Sequence, residues 1–237
     1  MAVEKTAAAE SAALDQPAGE PKIKVTADGP YEVTGAELLR MRPIYNEHGD
    51  GIRWERGPRI EHDQIYQLCR CGRSKTQPFC DGSERDFEFD GTETADRRPS
   101  AERRKVFSEA PISLTDDRKL CAHQAFCERF PRNAWSIARG DQPPEDQEEL
   151  MYIGRTCPSG RLQLQVPAGA EPYEEQFPQE IAVVNDGPYW IRGGIPVEST
   201  DGFQYEVRNR QTLCRCGQSK NKPFCDGTHW KIEFKDP

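Results

Sequence analysis

The stretch Cys69–Glu84, CRCGRSKTQPFCDGSE, returns near the end of the chain as Cys214–His229, CRCGQSKNKPFCDGTH. The repeat extends upstream of both copies. DGPY occurs at Asp28–Tyr31 and again at Asp186–Tyr189, each time between a run rich in β-branched residues (KIKV, IAVV) and a second short run (YEV, YWI). A turn between two such runs predicts a pair of strands, so the chain holds two copies of one β-rich module. The second copy is shorter between its DGPY and its first cysteine, a difference expected to fall in a surface loop.

Within each copy the spacing C-x-C-x8-C is a poor disulfide pattern, and zinc sites generally use C-x2–4-C knuckles. Gly72 and Gly217 allow the turn after the second cysteine, and Pro78 and Pro223 stiffen the approach to the third. The D-G-S/T that follows can start a helical turn. In such a turn Cys225 and His229 face the same way, so three thiolates and one imidazole converge. The first copy has Glu84 where the second has His229.

The nine cysteines fall into three groups of three: Cys69, Cys71, Cys80; Cys121, Cys127, Cys157; and Cys214, Cys216, Cys225. An odd number excludes complete pairing within the chain. The first residues lack the apolar core of a secretion signal, so a reducing, cytoplasmic setting is expected, where clustered cysteines hold metal more often than they form bridges. Of 237 residues, 35% are hydrophobic and 30% charged, with 19 Gly and 19 Pro, which points to several small modules stabilised by metal. A net charge of −8, with no basic cluster in view, argues against nucleic-acid binding. No apolar run approaches the roughly 20 residues of a membrane helix.

Both copies resemble the CDGSH iron–sulfur domain of the mitoNEET family, whose pattern is C-x-C-x2-(S/T)-x3-P-x-C-D-G-(S/A/T)-H. The last triplet matches every defined position. The resemblance implies a 2Fe-2S cluster with Cys214 and Cys216 on the inner iron and Cys225 and His229 on the outer one. It also implies a small β-rich fold that pairs two cluster-binding halves, here as an intrachain pseudo-dimer or in a homodimer. In the first copy Cys69, Cys71 and Cys80 make a partial cage. Glu84 either supplies a hard oxygen ligand or leaves the outer iron open to water, and the site is empty if degenerate, so one or two 2Fe-2S clusters are expected. A cluster with three thiolates and a carboxylate carries about −2, against about −1 with a neutral imidazole, which predicts the lower potential at the first site.

The middle segment, KLCAHQAFCERFPRNAWSI and then RTCPSGRLQLQV, has C-x5-C followed by a distant C-P. It is similar to divergent single-cluster ferredoxins, in which another cysteine stands midway through the first loop. That position is Gln124, with His123 beside it. Either a 3Fe-4S cluster uses Cys121, Cys127 and Cys157 alone, or a 4Fe-4S cluster takes a fourth ligand, His123 being the nearest candidate. AWSI and LQLQV are expected as paired strands and EDQEELMYIG as a helix.

The expected organisation is an acidic disordered tail at 1–20, a CDGSH module at 21–97, a ferredoxin-like α+β domain at 98–172 and a second CDGSH module at 173–237. His48 and His62 sit in polar sequence without ligand spacing and read as surface residues. Arg70 and Arg215, inside the C-x-C pairs, either donate to a sulfide or offset cluster charge, or point to solvent. No phosphate loop and no Ser/His/Asp arrangement is present, so the chain reads as no enzyme. The leading expectation is electron transfer with redox partner proteins, a reductase or oxidase. The rivals are a cluster carrier to apo iron–sulfur acceptors or a redox or pH sensor, and then a zinc-binding interaction module.

Overall fold

The computed structural model describes residues 19–108, 111–167 and 169–236. Most of the expected tail lies outside them. The first module comprises β1 (Lys22–Val25), β2 (Tyr31–Thr34), β3 (Glu37–Tyr45), β4 (Gly51–Arg59) and β5 (Ile65–Leu68). The middle region follows with β6 (Lys105–Val106), β7 (Ser113–Asp116), β8 (Glu128–Arg129), β9 (Arg132–Asn133), α1 (Ala134–Arg139), α2 (Pro144–Thr156), β10 (Leu162–Gln165) and β11 (Pro172–Tyr173). The second module contributes β12 (Glu180–Val184), β13 (Tyr189–Arg192), β14 (Val197–Glu198), β15 (Arg210–Leu213) and the short helix α3 (Thr228–Lys231). The whole is α+β, mostly small sheets with few helices.

The two repeats exchange strands. One sheet runs β14-β1-β2-β5 and another β15-β13-β12-β3-β4, so the first takes one strand from the second repeat and the second takes two, β3 and β4, from the first. The repeats meet in each sheet through a parallel pair, β1 with β14 (Ile23 opposite Val197) and β12 with β3 (Ile181 opposite Leu38). This is the intrachain pseudo-dimer. The alternating KIKV and YEVT put one face inward. EIAVV is buried along its whole length because its two faces serve different cores: Ile181 and Val183 join Ile23, Val25, Leu38 and Leu68, while Ala182 and Val184 join Leu39, Met41 and Trp190. At the centre Tyr31 and Tyr189 meet edge to face at 6.1 Å.

The extra length of the first copy is no solvent loop, contrary to expectation. It forms the β3–β4 hairpin, which carries the middle region: Trp54 stacks on Phe126 at 4.6 Å and donates from Nε1 to Thr156 O at 2.9 Å. The Gly51 amide donates to Ala125 O at 3.1 Å. An apolar surface on this hairpin is covered by another part of the same chain.

In the middle region α2 and β10 form where expected, but AWSI is helical. Asn133 and Ser136 close a reciprocal capping box, the Asn133 side chain accepting from the Ser136 amide and Ser136 Oγ accepting from the Asn133 amide. Ala134, Ile137 and Ala138 then share one buried face. The strand that pairs with β10 is instead β7, SLTD.

Candidate metal centre

The ligand loops of the two repeats lie back to back. The hydroxyl of Tyr31 lies 2.9 and 3.0 Å from Cys214 O and Pro223 O, and that of Tyr189 lies 2.8 and 3.0 Å from Cys69 O and Pro78 O. Each DGPY tyrosine thus pins the metal loop of the opposite repeat. Gly72 and Gly217 have φ of 80° and 77°, and a Cβ at either would stand 2.6 Å from Cys216 O or 2.3 Å from Cys71 O. Only glycine allows this approach.

In the second loop Cys214 and Cys216 Sγ are 3.9 Å apart, and Cys225 Sγ lies 3.3 Å from His229 Nδ1. In the first loop Cys69 and Cys71 Sγ are 3.7 Å apart, and Cys80 Sγ lies 3.3 Å from Glu84 Oε2. Two sulfurs on one tetrahedral metal, with bonds of about 2.3 Å, stand about 3.8 Å apart, so each C-x-C pair fits one metal atom. The Gly82 and Gly227 turns start the helical segments that bring Glu84 and His229 back to Cys80 and Cys225. Among the described residues, no three His, Cys, Asp or Glu side chains close on a single ion. The candidate donors of each loop stand in pairs, the C-x-C sulfurs in one and Cys80 with Glu84, or Cys225 with His229, in the other.

Within each C-x-C pair the sulfurs share a proton, which drops Cys69 to about 6 and Cys214 to about 7 while raising the partner. A thiolate is therefore ready at neutral pH. Burial raises Cys80 to about 11. All nine cysteines are free.

Cys121, Cys127 and Cys157 line one cavity of about 580 Å³, together with Trp135, Arg161 and Trp230. Burial opposes ionisation of Cys121, but His123 and the Arg161 guanidinium outweigh it and bring the thiol to about 7. Arg161 donates from Nη1 to Cys121 Sγ at 3.0 Å and makes two bonds to Asp116, at 2.6 and 2.8 Å. Nothing in the spacing marked this arginine, although it follows C-P-S-G directly.

The chain matches two family models. The family described as Iron-binding zinc finger CDGSH type matches residues 28–84 and 186–230. The family described as Divergent 4Fe-4S mono-cluster matches 107–167. This is an iron–sulfur protein. Its two CDGSH modules flank a divergent mono-cluster domain. No curated protein matches the chain.

The loop of the mono-cluster domain rests on the second CDGSH module. Gln124 Nε2 lies 3.3 Å from His229 Nε2, and Gln124 Oε1 accepts from the Tyr45 hydroxyl at 3.3 Å. The His123 ring packs on Gly227, where a Cβ would meet it at 2.1 Å. Gln124, the residue in the missing cysteine's place, is buried and held by the neighbouring module. His229 is 4% exposed. Replacing Gln124 with Leu is expected to leave His229 Nε2 without a buried partner, at a cost of about 1–3 kcal/mol. A roughly tenfold faster loss of the second module's visible absorbance on dilution into chelator would register it; an unchanged rate would contradict the contact.

Two further expectations change. Arg70 and Arg215 are buried, each bonded to backbone carbonyls and neither pointing to solvent. A basic cluster does exist: Arg98, Arg103, Lys105, Arg118 and Lys119 line a cavity of about 440 Å³. Asp96 and Asp117 offset part of it through pairs with Arg98, Lys119 and Arg103. His48 stands against Phe130 and lines the three-cysteine cavity, and His62 is half-buried and packs on Tyr66. No described helix is long and apolar enough to cross a membrane.

Proposed function

We propose that the protein transfers electrons between redox partner proteins, with a 2Fe-2S cluster in each CDGSH module and a three-thiolate cluster in the mono-cluster domain. The ligands at the second site are Cys214, Cys216, Cys225 and His229; at the first, Cys69, Cys71, Cys80 and Glu84; in the middle, Cys121, Cys127 and Cys157. The observation that carries the reading is the contact between Gln124 and His229, which joins the second site to the middle one through side chains. A cluster delivering iron and sulfide to an acceptor needs an exit, whereas His229 is covered by the neighbouring module.

The middle cluster is either 3Fe-4S on the three thiolates or 4Fe-4S with His123 as the fourth ligand, and the match to a divergent 4Fe-4S mono-cluster family supports the latter. When bound, the clusters accept and donate single electrons. The protein around them fixes ligand spacing, excludes water and supplies charge. The basic cavity beside Cys121 suits an acidic partner, and the pairing of the two repeats within one chain supports a monomer.

A second reading, transfer of a cluster to apo acceptors, is favoured by the first site alone, where Cys80 and Glu84 border a cavity of about 1040 Å³. Iron and acid-labile sulfide analysis with EPR of oxidised and reduced protein tests both cluster count and type. Zinc with no sulfide after anaerobic reconstitution would end the proposal. Faster delivery of a cluster to an apo-ferredoxin than of electrons to an oxidised one would replace it with the second reading.

The buried ring of His229 also predicts a pH response in the metal-free protein. Burial first, and then His123, hold His229 at about 4 against an ordinary 6.5. As pH falls the unfolded chain takes up the proton before the folded one, so stability is full above about 6.5 and is lost down through about 4. Midpoints of thermal unfolding should fall across that window in the wild type and fall less in His229→Cys. Equal slopes in the two proteins would count against neutral burial of the ring.

A further inference from the structure

The two CDGSH loops each place an arginine between the paired cysteines, and both side chains are 1% exposed. Their surroundings differ. Arg215 donates from Nε to Gly187 O at 2.8 Å and from Nη2 to Val184 O at 2.9 Å, and its Nη1 pairs with the Asp236 carboxylate. Arg70 donates from Nη2 to Gly91 O at 2.9 Å, while its Nε and Nη1 have no partner. Its guanidinium lies between the rings of Tyr31 and Phe89, at 5.7 and 5.3 Å.

Gly91 holds the place in the first module that Asp236 holds in the second. Asp28 accepts from the Gly91 amide at 2.8 Å, as Asp186 accepts from the Asp236 amide at 2.8 Å. The Arg70 guanidinium fills the space that a side chain at position 91 would take, a Cβ there standing 1.8 Å from Arg70 Nη2. The first module therefore has no carboxylate bonded to its buried arginine; its nearby acids are Asp28, which has its counterpart in Asp186, and the exposed Asp90. The module has a carboxylate instead at Glu84, where the second module has the neutral His229. One negative charge has moved from the arginine to the ligand position.

We propose that Arg70 is the counter-charge to Glu84, so that the two CDGSH sites carry the same local charge despite their different ligands. The proposal rests on the reading of Glu84 as a ligand. With that ligand the oxidised first site carries about −2, and the unpaired Arg70 brings its surroundings to about −1; Arg85 also lies 3.7 Å from Glu84, but its side chain is 86% exposed and solvent screens it. The second site carries about −1 with His229, and Arg215 and Asp236 cancel. Arg40 also approaches Asp236, at 3.5 Å, but its side chain is 32% exposed and solvent screens it. The lower potential that ligand charge alone predicts for the first site is thereby offset. An orphaned buried guanidinium is costly to a fold, and a nearby anion gives it a reason to persist.

EPR-monitored potentiometry, which reads a histidine-ligated and a carboxylate-ligated site separately, tests this in the full chain. The wild-type midpoints should lie close together. Arg70→Gln should lower the first midpoint and leave the second in place. Asp236→Asn, a change at a partly exposed position, should raise the second midpoint alone, and it keeps the test alive if Arg70→Gln does not fold. An unmoved first midpoint in Arg70→Gln, or an unmoved second midpoint in Asp236→Asn, would overturn the proposal. Glu84→Gln separates the two ideas. If it leaves the g values of the first site unchanged, the ligand reading fails; if the g values shift but Arg70→Gln moves nothing, only the counter-charge role fails.

Discussion

Gly217→Ala is expected to destabilise the protein by about 3 kcal/mol and to remove iron from both CDGSH modules together. The residue has φ of 77°, a conformation that costs an L-residue roughly 1–2 kcal/mol, and its new Cβ would lie 2.3 Å from Cys71 O. That atom is backbone of the opposite metal loop and cannot swing aside, so overpacking of about 1–3 kcal/mol adds to the conformational term. Gly202→Ala supplies the control, because its φ is 84° with nothing within 4 Å of the added carbon. Thermal unfolding with iron analysis of each site reads the outcome. Loss of iron from the second module alone would mean that the two loops do not brace one another.

Arg161→Met is expected to cost about 3–5 kcal/mol and to abolish the EPR signal of the middle cluster while both CDGSH signals persist. Arg161 and Asp116 form a buried two-bond ion pair, and removing the cation leaves a carboxylate 6% exposed with only the Trp135 indole, at 3.1 Å, to satisfy it. The same change takes away the donor to Cys121 Sγ. The double variant Arg161→Met with Asp116→Leu separates the two effects, since replacing a buried pair by apolar groups is often neutral. It should recover most of the stability yet still hold the middle cluster weakly. A single variant within about 1 kcal/mol of wild type, or a double variant with normal cluster retention, would refute the role given to Arg161.

Much of the candidate site could be read from the chain because its geometry is local. A helical turn brings residues four apart to one side, which is why Cys225 comes together with His229 as anticipated, and Cys80 with Glu84, where the sequence had left two outcomes open. The two strands around each DGPY follow from turn chemistry between short apolar runs. AWSI misled because a short apolar run carries no period long enough to separate strand from helix, and the Asn133–Ser136 capping box decided the matter. Arg161 escaped notice because an arginine beside a cysteine becomes informative only once Asp116, far away in sequence, is known to hold it.

The sequence by itself determined the candidate donor residues, their spacing and the Glu84-for-His229 difference between the two modules, because these depend on contacts within a few residues. Only the tertiary structure decided that β3 and β14 cross between repeats, that Gln124 reaches His229, and that Arg215 finds Asp236 while Arg70 bonds to no carboxylate. Such contacts join residues far apart in the chain. They are fixed by burying one shared apolar core, in which Ile23 and Val25 pack with Ile181 and Val183, and no local pattern encodes which partner a strand or a charge will meet.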